Sequence, residues 1–311
     1  MILERNKSYK GDCVELMKFL PDESVDVICT DPPYLYLKNQ KLDRPFDEWE
    51  YFKQVRRVLK PDGFIILFGR GTSFYRWNTI LADLGFTFKE EIVWDKAYCS
   101  SPLMAMSRVH ETVSIHTKGN GTINKVKVPY LEMKGHDIPS ICQDIKRLKG
   151  ALNNPKSLNN LLLFIEQNKN SDKIIRNDWS GKISKNEITA NNKSAQSGDR
   201  AVNCLQSITF GLNEKSIIRE GRNHYKAIHP TEKPVRLLER LLALVCKVEP
   251  DKPKPLVLDT FRGSASTDIA CMNFGVDCIS FEIDGEYFDK GEERKAEHRK
   301  NLQPDLFKVA L

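Results

Sequence analysis

Apolar positions along the chain fall into short β-branched runs and helical stripes that alternate. Val25-Asp26-Val27-Ile28-Cys29 reads as a strand that stops at Asp31-Pro32-Pro33, because consecutive prolines cannot continue a central strand. Phe46, Trp49, Phe52, Val55 and Val58 recur every three residues and predict an amphipathic helix with these five in the core, ended by Pro61-Asp62-Gly63. The apolar run 64–68 (FIILF) predicts a strand buried on both faces, followed by a Gly69/Gly71 turn and a helix over 73–84. Strands are expected at 90–94 (EEIVW), where Trp94 joins the core, and at 112–117 (TVSIHT). After residue 229 the alternation resumes with a leucine-rich helix over 234–246, a strand at 255–259 (PLVLD), and a Gly/Ser turn. A helix at 266–274, a strand at 278–282 (CISFE) and a charged helix over 286–300 complete it. This pattern predicts an α/β fold with one largely parallel sheet assembled from both ends of the chain.

Composition excludes several classes. The chain has 311 residues, a mean hydropathy of −0.46 and no apolar run long enough for a membrane span. The opening MILERNKSYKGD has no apolar stretch after its basic residues, so neither a signal nor a transit peptide is expected. Cysteines 13, 29, 99, 142, 204, 246, 271 and 278 show no paired spacing of a zinc or redox centre. They are expected to be reduced, mostly buried thiols of a cytoplasmic protein without metal.

Charge is informative once divided. Residues 118–228 hold 19 Lys and Arg against 10 Asp and Glu, so the net +6 of the whole chain arises from this one segment. The segment also carries fifteen asparagines, and its stretch 186–199 (NEITANNKSAQSGD) predicts a loop or mobile strip. The expected organisation is therefore a discontinuous domain, 1–117 with 229–311, around an insert at 118–228.

Two motifs carry candidate chemistry. In Asp31-Pro32-Pro33-Tyr34 the prolines stiffen a strand end, so that a carboxylate and a main-chain carbonyl face one crevice. Two such acceptors can hold the hydrogens of an exocyclic amine and free its lone pair, while Tyr34 can stack on a base swung out of a duplex. Alone, the tetrapeptide fits equally well a strand-end turn with a local Asp cap and a packed Tyr. Asp259-Thr260-Phe261-Arg262-Gly263-Ser264-Ala265-Ser266-Thr267 lies between a strand and a helix, where α/β sheets bind nucleotides. Glu282 ends the next strand, at an offset suited to ribose hydroxyls.

Together with Phe281-Glu282-Ile283-Asp284 and His229-Pro230-Thr231-Glu232-Lys233-Pro234, these motifs resemble, in order and type, the β-class amino-methyltransferases of DNA. The resemblance covers roughly 1–117 and 229–300 and not the middle. It implies a Rossmann-like, mainly parallel seven-stranded sheet with helices on both faces and S-adenosylmethionine as cosubstrate. The insert would be the target-recognition region. The product would be N6-methyladenine or N4-methylcytosine, formed by base flipping and direct transfer. Asp31 before the prolines, where the cytosine enzymes more often carry serine, points to adenine.

By the same resemblance Asp31 and the Pro32 carbonyl orient the amine, Pro33 stiffens the turn and Tyr34 stacks on the base. Asp259, Phe261, Gly263 and Ser264 surround the methionine end of the cosubstrate, Glu282 takes its ribose, Lys233 and Pro234 line the pocket, and Asp12 reaches its adenine. Thr260 stands where the family has proline, and Ala265 where it has a second glycine. The added methyl of Ala265 is expected to weaken cosubstrate binding. Partners implied are double-stranded DNA, a second copy of the chain and an associated restriction endonuclease. An N4-cytosine enzyme and an idle DNA-binding homologue are the alternatives.

Within the basic segment, Lys146-Arg147-Leu148-Lys149, Arg219, Arg222 and Lys226 are candidates for phosphate or base contact, and Trp179 for stacking. His110-Glu111 is expected to be a local structural pair.

Overall fold

The computed structural model describes residues 2–34, 43–98, 105–135, 137–152, 195–222 and 227–302. Trp179, Lys226, Cys99 and residues 186–194 lie outside them, as do the side chains of Lys146 and Lys149. By compactness the chain divides into two units, Met1–Asn124 with Lys215–Leu311, and Lys125–Glu214.

The larger unit is built on an eight-stranded sheet ordered β1-β10-β9-β2-β3-β5-β4-β8. These strands are β1 (Lys7–Lys10), β2 (Val25–Thr30), β3 (Leu59–Gly69), β4 (Thr87–Asp95), β5 (His110–Thr117), β8 (Ile217–Arg219), β9 (Leu256–Asp259) and β10 (Asp277–Glu282). The sheet is mostly parallel, as expected, with two differences. The eighth strand is β8, a short edge strand parallel to β4 that the sequence pattern does not announce. β5 runs antiparallel to both β3 and β4, because the chain returns from β4 without a crossover helix and so must reverse direction.

Helices cover both faces. α1 (Cys13–Met17), α2 (Glu48–Val58) and α3 (Gly71–Asp83) share a core with Ile28, Ile65, Leu67, Leu258, Ile279 and Phe281. Trp77 and Tyr51 are its largest fully buried members. α7 (Val235–Val245) and α8 (Ser266–Phe274) pack on each other, α8 against β9 and β10, and α9 (Gly285–Leu302) closes that side. α2 is capped by the Asp47 carboxylate, which accepts from Glu50 N. Its buried face is Tyr51, Phe52, Val55 and Val58. Trp49, expected in the core, is 46% exposed: the true stripe follows about 100° per residue, and a strict three-residue repeat drifts off it. Trp94 is fully buried, its indole donating to Glu220 O.

The turn after β9 is fastened from beneath. Arg262, with no side-chain exposure, donates to Asp268 at 3.0 Å, Glu292 at 2.7 Å and Phe288 O at 3.1 Å. Gly291 makes room for it, since a Cβ there would stand 2.7 Å from the guanidinium. Lys295 adds a second buried cation 3.6 Å from Asp268.

The smaller unit contains β6 (Lys127–Val128) paired with β7 (Leu212–Asn213), and helices α4 (Tyr130–Lys134), α5 (Ile138–Leu152) and α6 (Ala195–Phe210). Tyr130, Ile141 and Ile145 form its described core, with Asp144 accepting from Tyr130 and paired with Lys134 and Arg147. Residues 195–199, expected in a loop, open α6. The sheet unit takes β8 with Arg219 and Arg222, so the described division falls inside the basic segment and not at its ends. Cys13, Cys29, Cys204, Cys246, Cys271 and Cys278 are buried free thiols, and burial pushes Cys13 up to about 12. Among the described residues no helix is long and apolar enough to cross a membrane.

Asp268 balances two buried cations, and losing one partner of a buried ion cluster costs about 3–5 kcal/mol. Asp268→Asn is expected to lower unfolding stability by that order in urea titrations; an unchanged midpoint would show that the cluster contributes little.

Candidate active site

β10, β9 and β2 are parallel neighbours, so their carboxyl ends open on the same edge of the sheet. Strand order reverses in chain terms between β9 and β2, the place where open α/β sheets form a crevice. Here the crevice is a cavity of about 560 Å³, within the ~300–1,000 Å³ of small-ligand sites. Asp31 to Tyr34 enter it from β2, Asp259 and the turn after it from β9, and Glu282 from β10.

The β2 and β9 ends are tied by three buried hydroxyls. Thr30 Oγ1 lies 2.9 Å from Thr260 Oγ1 and 3.1 Å from Tyr51 Oη, and Tyr51 lies 2.6 Å from Thr260. Thr260 therefore contributes a bond that proline could not make. Burial holds the Tyr51 phenol protonated.

At the β10 side each oxygen of Glu282 accepts one backbone N–H at 2.8 Å, Oε2 from Gly263 and Oε1 from Asp284. The carboxylate is thereby oriented while each oxygen keeps acceptor capacity. Gly263 supplies its N–H from a left-handed turn, φ 51°, open to glycine without steric cost. Asp259 is 4% exposed; its Oδ1 accepts from Phe261 N at 3.1 Å. Burial pushes its acid up to about 7, so a cation brought alongside would draw the proton off. Phe46 and Phe261, with rings 5.4 Å apart, form an apolar wall. Oriented acceptors, a carboxyl poised to ionise and an aromatic wall together suit a ligand that carries hydroxyls, a cationic group and a flat ring.

On the β2 side Asp31 is held at both oxygens. Tyr34 donates its hydroxyl to Oδ1 at 2.6 Å, and Lys233 donates to Oδ2. Lys233 is also 3.4 Å from Glu111 Oε2, and Lys96 donates to Glu111 Oε1 at 3.2 Å. The four groups form a chain of alternating charge. Burial raises Asp31, and Glu111 adds to this while Lys233 opposes it. For Lys233 burial acts downward but is outweighed by Asp31 and Glu111, which hold the ammonium above its ordinary value. Glu111, raised by burial alone, is brought below the ordinary range by Lys233 and Lys96.

Of the sequence-derived residues, Asp12, Asp31, Pro32, Pro33, Tyr34, Lys233, Asp259, Phe261, Gly263, Ser264 and Glu282 all line this cavity. Pro234 does not; it is the N-cap residue of α7, its carbonyl accepting from Leu238 N, and it fixes the chain direction just after Lys233. Asp12 lines the rim but commits Oδ1 to Val14 N and Glu15 N as the cap of α1. Ala265 is fully buried, φ 62°, and is not among the lining residues. Its substitution costs backbone strain of about 1–3 kcal/mol and leaves the cavity unobstructed. Sequence reasoning passed over Lys96, took Glu111 as a local pair with His110 where the structure pairs it with Lys96 and Lys233, and placed Arg222, a further lining residue, in the insert. The sequence signal for Glu111 was its place beside His110 at the opening of a strand. Among the described residues no group of three His, Cys, Asp or Glu could hold a metal ion.

Strand carboxyl ends at such a crevice are where open α/β sheets bind ligands, and the kinship of the sequence says which family this one belongs to. Residues 25–293 match the N6/N4 methyltransferase family, described as DNA methylase. The chain belongs to this family. It is 26% identical to the type II methyltransferase M.HinfI of Haemophilus influenzae, over 95% of this chain and 70% of that protein. Solved structures share the fold: the M1.HpyAVI–SAM complex (19% identical, TM-score 0.50, 93% and 98% of the two chains), and the cytosine-N4-specific PvuII DNA methyltransferase (16%, TM-score 0.53, 96% and 93%).

Asp259 yields a pH prediction. Its folded value near 7 lies above the ordinary 3.8, so the folded chain binds the extra proton between these values and Asp259 makes stability fall as pH rises through them. The stability gained by Asp259→Asn over wild type should therefore grow from about pH 4 to pH 7. A gap that is constant with pH in urea titrations would refute the raised value.

Proposed function

We propose that the chain transfers a methyl group from S-adenosylmethionine to N6 of adenine in double-stranded DNA. One observation carries this reading: Asp31 with Tyr34, Asp259 and Glu282 line a single cavity at the ends of three adjacent strands. In this reading the three strand ends, ~4.8 Å apart from strand to strand, serve the ribose, the ammonium and the reacting amine. Glu282 takes the ribose hydroxyls and Asp259, ionised by the ligand's ammonium, the methionine end. Gly263, Ser264 and Phe261 lie along the ligand, and Asp12 offers its remaining oxygen to the adenine.

The bound cosubstrate supplies a methyl on positively charged sulfur; as the N–CH3 bond forms, the S–CH3 bond breaks with its electron pair left on sulfur, and one amine proton passes to the Asp31 carboxylate and from there to water. The protein's own part is positioning and hydrogen bonding. Asp31 and the Pro32 carbonyl hold the amine hydrogens, so that the nitrogen lone pair points away from the ring. Tyr34 stacks on the extruded base. Asp31, in place of the serine more often found in the cytosine enzymes, supports adenine over N4 of cytosine.

DNA contact is assigned to the basic side chains. The Lys125–Glu214 unit holds 14 Lys and Arg against 9 Asp and Glu, and Arg219 and Arg222 lie in the sheet unit, Arg222 at the cavity itself. Phosphate neutralisation by such residues releases counterions.

Asp31→Ala is expected to lower methyl transfer to DNA by roughly 10²–10³-fold or more while S-adenosylmethionine still binds in calorimetry; retained turnover would sink the assignment. Nucleosides from DNA methylated by the wild type should contain N6-methyl-2′-deoxyadenosine, and N4-methyl-2′-deoxycytidine in its place would reassign the target. Duplex affinity should drop steeply between about 50 and 200 mM salt; a flat salt response would remove the electrostatic footprint.

A further inference from the structure

Glu111 and Lys96 lie outside the motifs and outside the reaction just described, yet both are at the cavity. Lys96 directly follows β4, with its N–H bonded to Val109 O, and is 2% exposed. Glu111 is the second residue of β5. Its Oε1 accepts from Lys96, while its buried Oε2 has no hydrogen-bond partner among the described residues and stands 3.4 Å from Lys233 Nζ. The Lys233 ammonium is enclosed by aromatic faces, 5.2 Å from the centre of the Phe68 ring and 5.9 Å from that of Trp94.

This arrangement bears on how the substrate gets in. Each Asp31 oxygen already accepts one donor, from Tyr34 and from Lys233, so a target amine competes with the Lys233 ammonium for Oδ2. A buried ammonium leaving Asp31 with nowhere to go would be an uncompensated charge. The vacant acceptor position on Glu111 Oε2 is the destination within reach.

We propose that Glu111 is a positioning residue that receives the Lys233 ammonium when the target amine takes Asp31 Oδ2. Closing the 3.4 Å separation to about 2.8 Å makes a charge-assisted hydrogen bond, and the number of charges in the site does not change. Lys96 holds Glu111 in place through Oε1. Asp31 thus stays neutralised in the empty site and gives up its lysine only in exchange for a base. The inference rests on Asp31 as the amine acceptor, which loss of turnover in Asp31→Ala establishes separately.

The test is single-turnover methyl transfer with calorimetric S-adenosylmethionine affinity and Tm measured alongside. Glu111→Gln is expected to keep cosubstrate affinity within about twofold and to slow transfer by about 10²-fold, since Lys233 then stays on Asp31. Glu111→Asp, which restores the charge, should recover part of the rate. In a Lys233→Met background, Glu111→Gln should cost no more than about threefold further, because no ammonium needs receiving. Should Glu111→Gln fail to fold with Lys96 unpaired, Lys96→Met/Glu111→Gln removes both charges and should show the same slowed transfer. Wild-type rates in Glu111→Gln or in the folded double variant would overturn the proposal. So would a loss of the same size with and without Lys233, or one matched by loss of cosubstrate binding.

Discussion

Three carboxyl groups end three adjacent parallel strands, and the cost of keeping negative charge at one poorly hydrated edge shapes everything around them. Each is handled differently. Glu282 is satisfied by two backbone N–H groups, Asp259 meets burial by holding its proton to about 7, and Asp31 recruits a lysine. That lysine is itself buried and draws in Glu111, which draws in Lys96. The alternating chain is what a low-dielectric site requires once one unpaired ion is admitted.

The same logic organises the turn beneath the cavity. Arg262 sits in the turn after β9 with its side chain fully buried, donating to Asp268, Glu292 and the Phe288 carbonyl. The turn can then present Gly263 N to Glu282 from a fixed position. Rigidity at the ligand is obtained from ion pairs on the far side, and Gly291 is small for the sake of that guanidinium.

Much of this was legible in the sequence because local signals and tertiary roles coincide. The β-branched run ending in Asp31-Pro32-Pro33, the PLVLD strand and the CISFE strand each announce a buried strand and the acidic residue at or just beyond its end, and all three fall at one cavity. What was illegible depends on neighbours distant in the chain. Nothing local distinguishes antiparallel β5 from a parallel strand, and β1 is four residues with an exposed-to-intermediate pattern. Lys233 pairs with a residue 202 positions away. Thr260 stands where the family has proline, and its hydroxyl partners, Thr30 and Tyr51, lie 230 and 209 positions away in the chain. Trp49 was misplaced because aromatic spacing alone does not fix the phase of a helix.

The pairing of β2 with β9 joins residues some 230 positions apart. Contacts of that separation are slow to form and require the chain between them to exist first. On a ribosome β2 must wait, one edge uncovered, until the segment carrying the basic unit has been made and the last strands emerge. Any truncation before β9 leaves half a crevice. Synthesis order thus ensures that no chain becomes competent at the catalytic edge before its inserted unit is complete.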